Sequence, residues 1–230
     1  FICFPILKII GLQKGIYFEE ASKIIGNHLI YGICASNFCH GNANFFHKTG
    51  HPNHTLSFDY PFVFKFDWGG EGDTVKRIDS LSDFDKIIEK TISCERTGQF
   101  GFLIQEFIHT DNRSLRVAVI GQKRISYWRT QPDPDQFGTA LAKGGEIDMD
   151  SDPDKQESGI KWADRLCEKT GINLAGVDLI FPQTSGIADP LLLEINYFFG
   201  RAGIGGSERY YQILEQEVRN WLKHMGKNLL

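Results

Sequence analysis

Apolar and polar positions alternate with a period of two over PFVFKFD, so Phe62, Phe64 and Phe66 share one face of a strand and Val63, Lys65 and Asp67 share the other. Thr74 to Ile78 reads as the returning strand. SLSDFDKIIEKT then takes up a helical period with Ser80 or Ser82 as its cap, and FGFLIQEFI returns to strand. LRVAVIGQKRISYWRT reads as two strands joined at Gly121-Gln122, because glycine first in a two-residue loop suits a type II′ hairpin. That register sets Ile120 against Lys123 and Arg116 against Tyr127, and so puts Arg116 and Arg129 on one face.

After a polar loop, the spacing of Ile160, Ala163, Leu166 and Cys167 predicts a helix from about Lys155 to Thr170, ended by Gly171. INLAGVDLIF and PLLLEINYFF form a further strand pair. The last helix, about Ser207 to Met225, aligns Ile213, Leu214, Val218, Trp221 and Leu222 as a core-facing side. Before Thr55 the pattern gives a strand, a helix over GIYFEEASKIIGNH, the strand LIYGICA and a loop rich in His and Asn.

Length and composition narrow the function classes. A chain of 230 residues with 41% hydrophobic and 23% charged residues can bury a core of one lobed domain or two small ones, and shows no internal repeat. Its net charge of −4 offers no basic footprint for nucleic acid or a membrane surface. The apolar opening FICFPILKIIGL is broken by Pro5 and Lys8 and falls short of the roughly 20 residues a membrane span needs, so it reads as a core strand. Five cysteines without a CxxC pair point to reduced thiols and a cytoplasmic protein. Cys34, Cys39, His40, His47, His51 and His54 lack the spacing of a zinc site and read as part of a polar loop.

Three stretches carry chemistry. Lys65 is aimed by its strand, and Gly69, Gly70 and Gly72 let backbone N–H groups approach an anion; taken alone, the glycines read first as an ordinary hairpin turn. Asp178 sits in one apolar strand, and Glu194 and Asn196, two residues apart, emerge on one face of another. Carboxylates among Leu, Ile and Phe are costly without a bound positive charge, and this oxygen set suits Mg²⁺ or Mn²⁺; a half-exposed sheet face is the alternative. Arg116 and Arg129, with few carboxylates near them in sequence, predict a bound anion, although a solvated strand face accounts for them equally.

Taken in order, these stretches resemble the ATP-grasp superfamily, in its branch of prokaryotic glutathione synthetases and ribosomal-protein glutamate ligases. PFVFKFDWGGEG resembles the lysine strand with its glycine-rich lid, LIQEFI the interlobe strand that reads adenine, and LRVAVIG with Arg129 the phosphate-side strands. AKGGEI is similar to the short basic GG turn, and AGVDLIF with LLLEIN to the metal-ligand pair. The resemblance implies an α+β ATP-grasp fold: an abbreviated α/β segment over residues 1–55, a small lobe with the lid over 56–107, and a large lobe with the metal site over 108–230.

It further implies that Lys65 and the Gly69–Gly72 loop contact ATP phosphates, and that the backbone of Glu106, Phe107 and Ile108 meets adenine, with Asp111 at the ribose. Asp178, Glu194 and Asn196 would hold Mg²⁺ or Mn²⁺, with Arg116 and Arg129 facing the phosphate or acyl group. A second ATP lysine would be Lys23 or Lys48. Departures from the family pattern are Ser114, where an acidic residue is usual, and YFFGRAGIGGSE after Asn196, where small residues and a proline are usual. The implied activity is a carboxylate–amine ligase working through an acyl phosphate, on small-molecule or peptide carboxylates and amines. A small-molecule kinase or an ATP-binding regulatory protein are the alternatives. Oligomeric state, including a homo-oligomer, stays open.

Overall fold

The computed structural model describes residues 30–33, 59–66, 68, 72–99, 102–183 and 189–226. The expected opening strand and helix, the His- and Cys-rich loop, Lys23, Lys48, Gly69 and Gly70 lie outside the described residues. The chain divides into two compact units that meet in sequence between Ile108 and His109.

The first unit carries an antiparallel sheet in the order β1-β4-β2-β3, from strands β1 (Ile30–Ile33), β2 (Phe62–Phe66), β3 (Val75–Ile78) and β4 (Phe102–Glu106). Alternation along β2 sends Phe62, Phe64 and Phe66 into one cluster with Ile78, Ile87, Phe102 and Ile104, with Phe64 and Phe102 stacked at 4.8 Å. Helix α1 (Leu81–Glu95) covers that face through Phe84, Ile87 and Ile88. Of the two candidate caps, Ser80 is the one used: its Oγ accepts the N–H of Asp83 at 3.3 Å.

The second unit is built on a five-stranded antiparallel sheet in the order β7-β6-β5-β8-β9. Its strands are β5 (Arg113–Ile120), β6 (Lys123–Thr130), β7 (Glu146–Asp148), β8 (Leu174–Ile180) and β9 (Leu191–Asn196). The hairpin has the expected register, Ile120 against Lys123 and Arg116 against Tyr127, with Gly121 at φ 58°. Helix α2 (Pro153–Thr170) packs one face of this sheet. Gly159, where a Cβ would overlap Leu115, allows the close approach. Its inward face is Gln156, Gly159, Ala163 and Leu166, whereas Ile160 and Cys167 are half-buried.

Helix α3 (Gly206–His224) lies on the other face. Tyr210 is buried there with Ala118, Ile120, Tyr127 and Ile204, and Ile213 and Leu214 pack against them. Here the expected apolar face is corrected: Val218 and Trp221 are 44% and 58% exposed, and the buried residue in the last two turns is Glu217. Glu217 Oε2 accepts the N–H of Gln122 at 2.7 Å, so a buried carboxylate caps the hairpin where apolar packing was expected. Gly121 makes room for it, since a Cβ there would lie 2.6 Å from that oxygen.

Candidate functional site

In the first unit, Lys65 is half-buried on the sheet face opposite the phenylalanine cluster, paired with Val75 and Leu103. Gly72 has φ 78°, a left-handed conformation that suits glycine, and its carbonyl accepts the N–H of Val75 at 3.3 Å as the chain enters β3. Glu106 ends β4, and Phe107 follows with the Arg77 guanidinium 4.7 Å from its ring centre. Gln105, not singled out by the sequence, is buried at 6% exposure, and its Oε1 has no hydrogen-bond partner among the described residues. Its signal lay in the register: it pairs with Val63 and therefore shares the face of Lys65.

In the second unit the same period of two divides one sheet face. Ala118, Ile120, Ile125 and Leu174 occupy the apolar end with α3. Arg116, Arg129, Asp178, Glu194 and Asn196 occupy the polar end, because Arg116 pairs with Asp178, Asp178 with Glu194, and Ser114 with Arg129. Asp178 is at their centre and fully buried. Arg116 donates to it from Nε and, at 2.7 Å, from Nη2, and Asn196 donates from Nδ2 at 3.1 Å; Arg129 forms an ion pair with it, Nη2 lying 2.7 Å from Oδ2. Asn196 Nδ2 also donates to Glu194 Oε1 at 2.9 Å. The two arginines, expected to have few carboxylates near them, thus enclose one contributed by a strand 62 residues from Arg116, a partner that local sequence could not reveal.

Burial pushes the Asp178 pKa upward, but the charges of Arg129 and Arg116 and the hydrogen bonds outweigh it and hold the carboxyl below its usual range. Tyr127, across from Arg116, has its hydroxyl pKa raised by burial, with the two arginines opposing the rise. Arg129 also donates to Ser114 Oγ at 3.3 Å, and Ser114 shares a 2.8 Å hydrogen bond with Thr139 of the polar loop. Arg129 Nε is buried without a partner among the described residues, which leaves a donor for an anion. Arg116, 5% exposed and forked onto Asp178, is the more enclosed of the two.

Behind this cluster, Gly203 lies flat on the Tyr127 ring, where any Cβ would overlap it. A Cβ on Gly176 would come within 2.9 Å of Arg116 Nη1 and 3.0 Å of Phe199. These glycines let the segment after Asn196 pack directly on the arginine cluster. Asp111 is exposed; Gln183 Nε2 donates to it at 2.7 Å and Arg113 at 3.4 Å. The Gln183 bond leads the effects that lower its pKa.

The donor set fits a divalent cation in kind: two carboxylates and an amide within hydrogen-bonding distance of one another are hard oxygen ligands once the Asn196 amide presents its oxygen. Two arginines already balance Asp178 and Glu194, so a cation is favoured there chiefly in the company of an added anion such as a polyphosphate. Among the described residues no helix is long and apolar enough to cross a membrane.

The family described as the RimK-like ATP-grasp domain matches residues 47–218. A probable alpha-L-glutamate ligase of Coxiella burnetii (strain Dugway 5J108-111) is 32% identical over 146 residues, covering 63% of this chain and 44% of that protein. The corresponding protein of Cellvibrio japonicus is 30% identical with the same coverage. The chain thus spans less than half the length of these relatives. Among solved structures, a RimK domain ATP-grasp protein from Sphaerobacter thermophilus aligns at TM-score 0.55 and 15% identity, over 94% of this chain and 66% of that one. A D-alanine–D-alanine ligase from Bacillus anthracis aligns at TM-score 0.54 and 16% identity, over 90% and 68%. Both likenesses concern the fold.

Proposed function

The chain belongs to the RimK-like ATP-grasp family, and from that premise we propose that it is an ATP-dependent carboxylate–amine ligase that forms an amide through an acyl phosphate. The observation that carries this reading is the gathering of Arg116, Arg129, Asp178, Glu194 and Asn196 on one sheet face. A carboxylate oxygen attacking the γ-phosphoryl group spreads negative charge over the phosphoryl oxygens, and cations on several sides are what stabilise it.

Lys65 contacts the phosphates in this reading, with Gly69, Gly70 and Gly72 turning backbone N–H groups toward them. The backbone from Glu106 to Ile108 meets adenine, and Asp111 meets the ribose. Asp178, Glu194 and Asn196 hold a divalent cation, Mg²⁺ or Mn²⁺, which when bound neutralises phosphate charge. Arg129, with its unpartnered Nε, faces the phosphoryl or acyl group, and Arg116 supports it through the shared Asp178. The amine then attacks the acyl carbonyl and phosphate leaves, so no Ser or Cys nucleophile is needed. Glutamate ligases among the relatives make glutamate the first co-substrate to try.

The test is product analysis with ATP, Mg²⁺ and pairs of amino acids or peptides. ADP, phosphate and an amide are expected in equal amounts, with one ¹⁸O from a labelled carboxylate appearing in the phosphate. AMP and pyrophosphate, or a stable phosphorylated product without free phosphate, would replace the ligase reading with an adenylating enzyme or a kinase. Nucleotide binding without turnover would favour a regulatory protein.

A further inference from the structure

We propose that Thr139 is a positioning residue for the ligation step: acting through Ser114, its hydroxyl fixes the Arg129 guanidinium so that the free Nε–H is held toward the phosphoryl or acyl group. The inference rests on the ligase reading above.

Arg129 Nη2 is anchored from two sides. It lies 2.7 Å from Asp178 Oδ2 in an ion pair, and it donates to Ser114 Oγ at 3.3 Å. A single anchor would let the planar guanidinium swing about that contact. Two anchors set its plane, and with it the direction of Nε, which is buried and has no partner among the described residues. Ser114 stands opposite Arg129 across the β5–β6 pair and is 2% exposed. Its Oγ is held in turn by a 2.8 Å hydrogen bond with Thr139 Oγ1. A hydroxyl at this point fixes the arginine without cancelling its charge, which a carboxylate in its place would do.

Thr139 is itself held in place by the segment between β6 and β7. Gln131, 5% exposed, donates from Nε2 to the carbonyls of Gly138 at 3.3 Å and Lys143 at 3.0 Å, and its Oε1 accepts the N–H of Asp133 at 3.2 Å. One buried side chain thus ties both sides of Thr139 to the end of β6. Gly145 closes the turn, since a Cβ there would lie 2.7 Å from the Thr139 carbonyl oxygen and 2.9 Å from that of Ala140. The path from Gln131 through Thr139 and Ser114 to Arg129 is therefore one of fixed groups, as the support of a reacting residue requires.

Thr139→Val keeps the shape of the side chain and removes the hydroxyl, whereas Thr139→Ser keeps the hydroxyl and removes the methyl group. Thr139 is half-buried in a loop, so both variants should melt close to wild type. In the nucleotide-free protein, ¹⁵N–¹H spectra of the arginine Nε groups should contain one signal that Arg129→Lys removes. That signal should keep its position in Thr139→Ser and shift or broaden in Thr139→Val. In ADP-release assays with ATP, Mg²⁺ and the best amino-acid pair, Thr139→Val should lower kcat by about tenfold with the KM for ATP within about twofold of wild type. Thr139→Ser should stay within about threefold of wild type, and Ser114→Ala combined with Thr139→Val should be no slower than Ser114→Ala alone, because the two hydroxyls act as one path.

An unmoved Arg129 signal in Thr139→Val overturns the proposal. So does an unchanged kcat, a rise in KM alone, or an equal loss in Thr139→Ser, which would tie the effect to packing. A melting temperature lowered by several degrees in Thr139→Val also overturns it, making Thr139 a structural residue. Wild-type protein that releases no ADP with any pair overturns the ligase reading and this inference with it; the spectra, which need no substrate, tell that failure from a failure of the hydroxyl path.

Discussion

Glu194 lies directly across the strand pair from Asp178 because Leu193 is an extra residue in β9: Leu179 pairs with Leu192, yet Asp178 pairs with Glu194. Regular pairing would have set Leu193 opposite Asp178 and turned Glu194 to the α2 side of the sheet. The bulge brings the two carboxylates together, and their different surroundings separate their roles.

Asp178 balances two guanidiniums in a fully buried position, so Asp178→Asn should lower unfolding free energy by about 3–5 kcal/mol, as removal of one partner from a buried ion pair does. Glu194→Gln should melt close to wild type while losing Mg²⁺-dependent nucleotide turnover. Urea titration and an ADP-release assay check both, and equal stability of the two variants would contradict the arrangement. The sign of the pH dependence follows from the lowered Asp178 pKa. Its stabilising contribution is complete above the ordinary carboxylate pKa of about 4 and is lost as pH falls through the lower folded value, so Asp178→Asn should flatten the acid limb of stability.

Lys65→Ala should weaken ATP binding by about tenfold or more, since a charge-assisted hydrogen bond contributes on the order of 1.5–3 kcal/mol. The side chain projects away from the phenylalanine cluster, so melting should change little. Calorimetric titration showing wild-type affinity would remove Lys65 from the phosphate site.

Gly203→Ala should destabilise the protein by about 1–3 kcal/mol, because a methyl group would be driven into the buried Tyr127 ring. Gly200→Ala is the internal comparison, as nothing lies within 4 Å of a Cβ there. Because Tyr127 stands opposite Arg116, the first variant should also reduce turnover. Equal melting temperatures for the two would show that the segment after Asn196 does not pack as described.

Local sequence by itself determined the elements with a strong period. The alternation in FVFKF placed Lys65 opposite the aromatic core, Gly121-Gln122 set the hairpin register, and Gly171 ended α2 in the left-handed conformation at φ 73°. These outcomes depend on interactions between residues a few positions apart, which composition and spacing carry directly. The spacing of Glu194 and Asn196 likewise put both on one face of their strand.

Which face that was, and what met them there, only the tertiary structure decided. The Leu193 bulge is a property of the pairing between β8 and β9 and leaves no periodic mark in either strand. The enclosure of Asp178 by Arg116 and Arg129 joins residues from three strands, so arginines that looked open to an anion are partly neutralised within the fold. Gln105 drew no notice in the sequence, and only pairing with Val63 puts it on the face of Lys65, buried and without a donor among the described residues. Val218 and Trp221 fit the helical period of a core face, but burial depends on what lies opposite, and at that end of α3 the hairpin receives Glu217. Each of these turns on the same cause: hydrogen-bond pairing and burial are set by neighbours distant in sequence, to which a local pattern has no access.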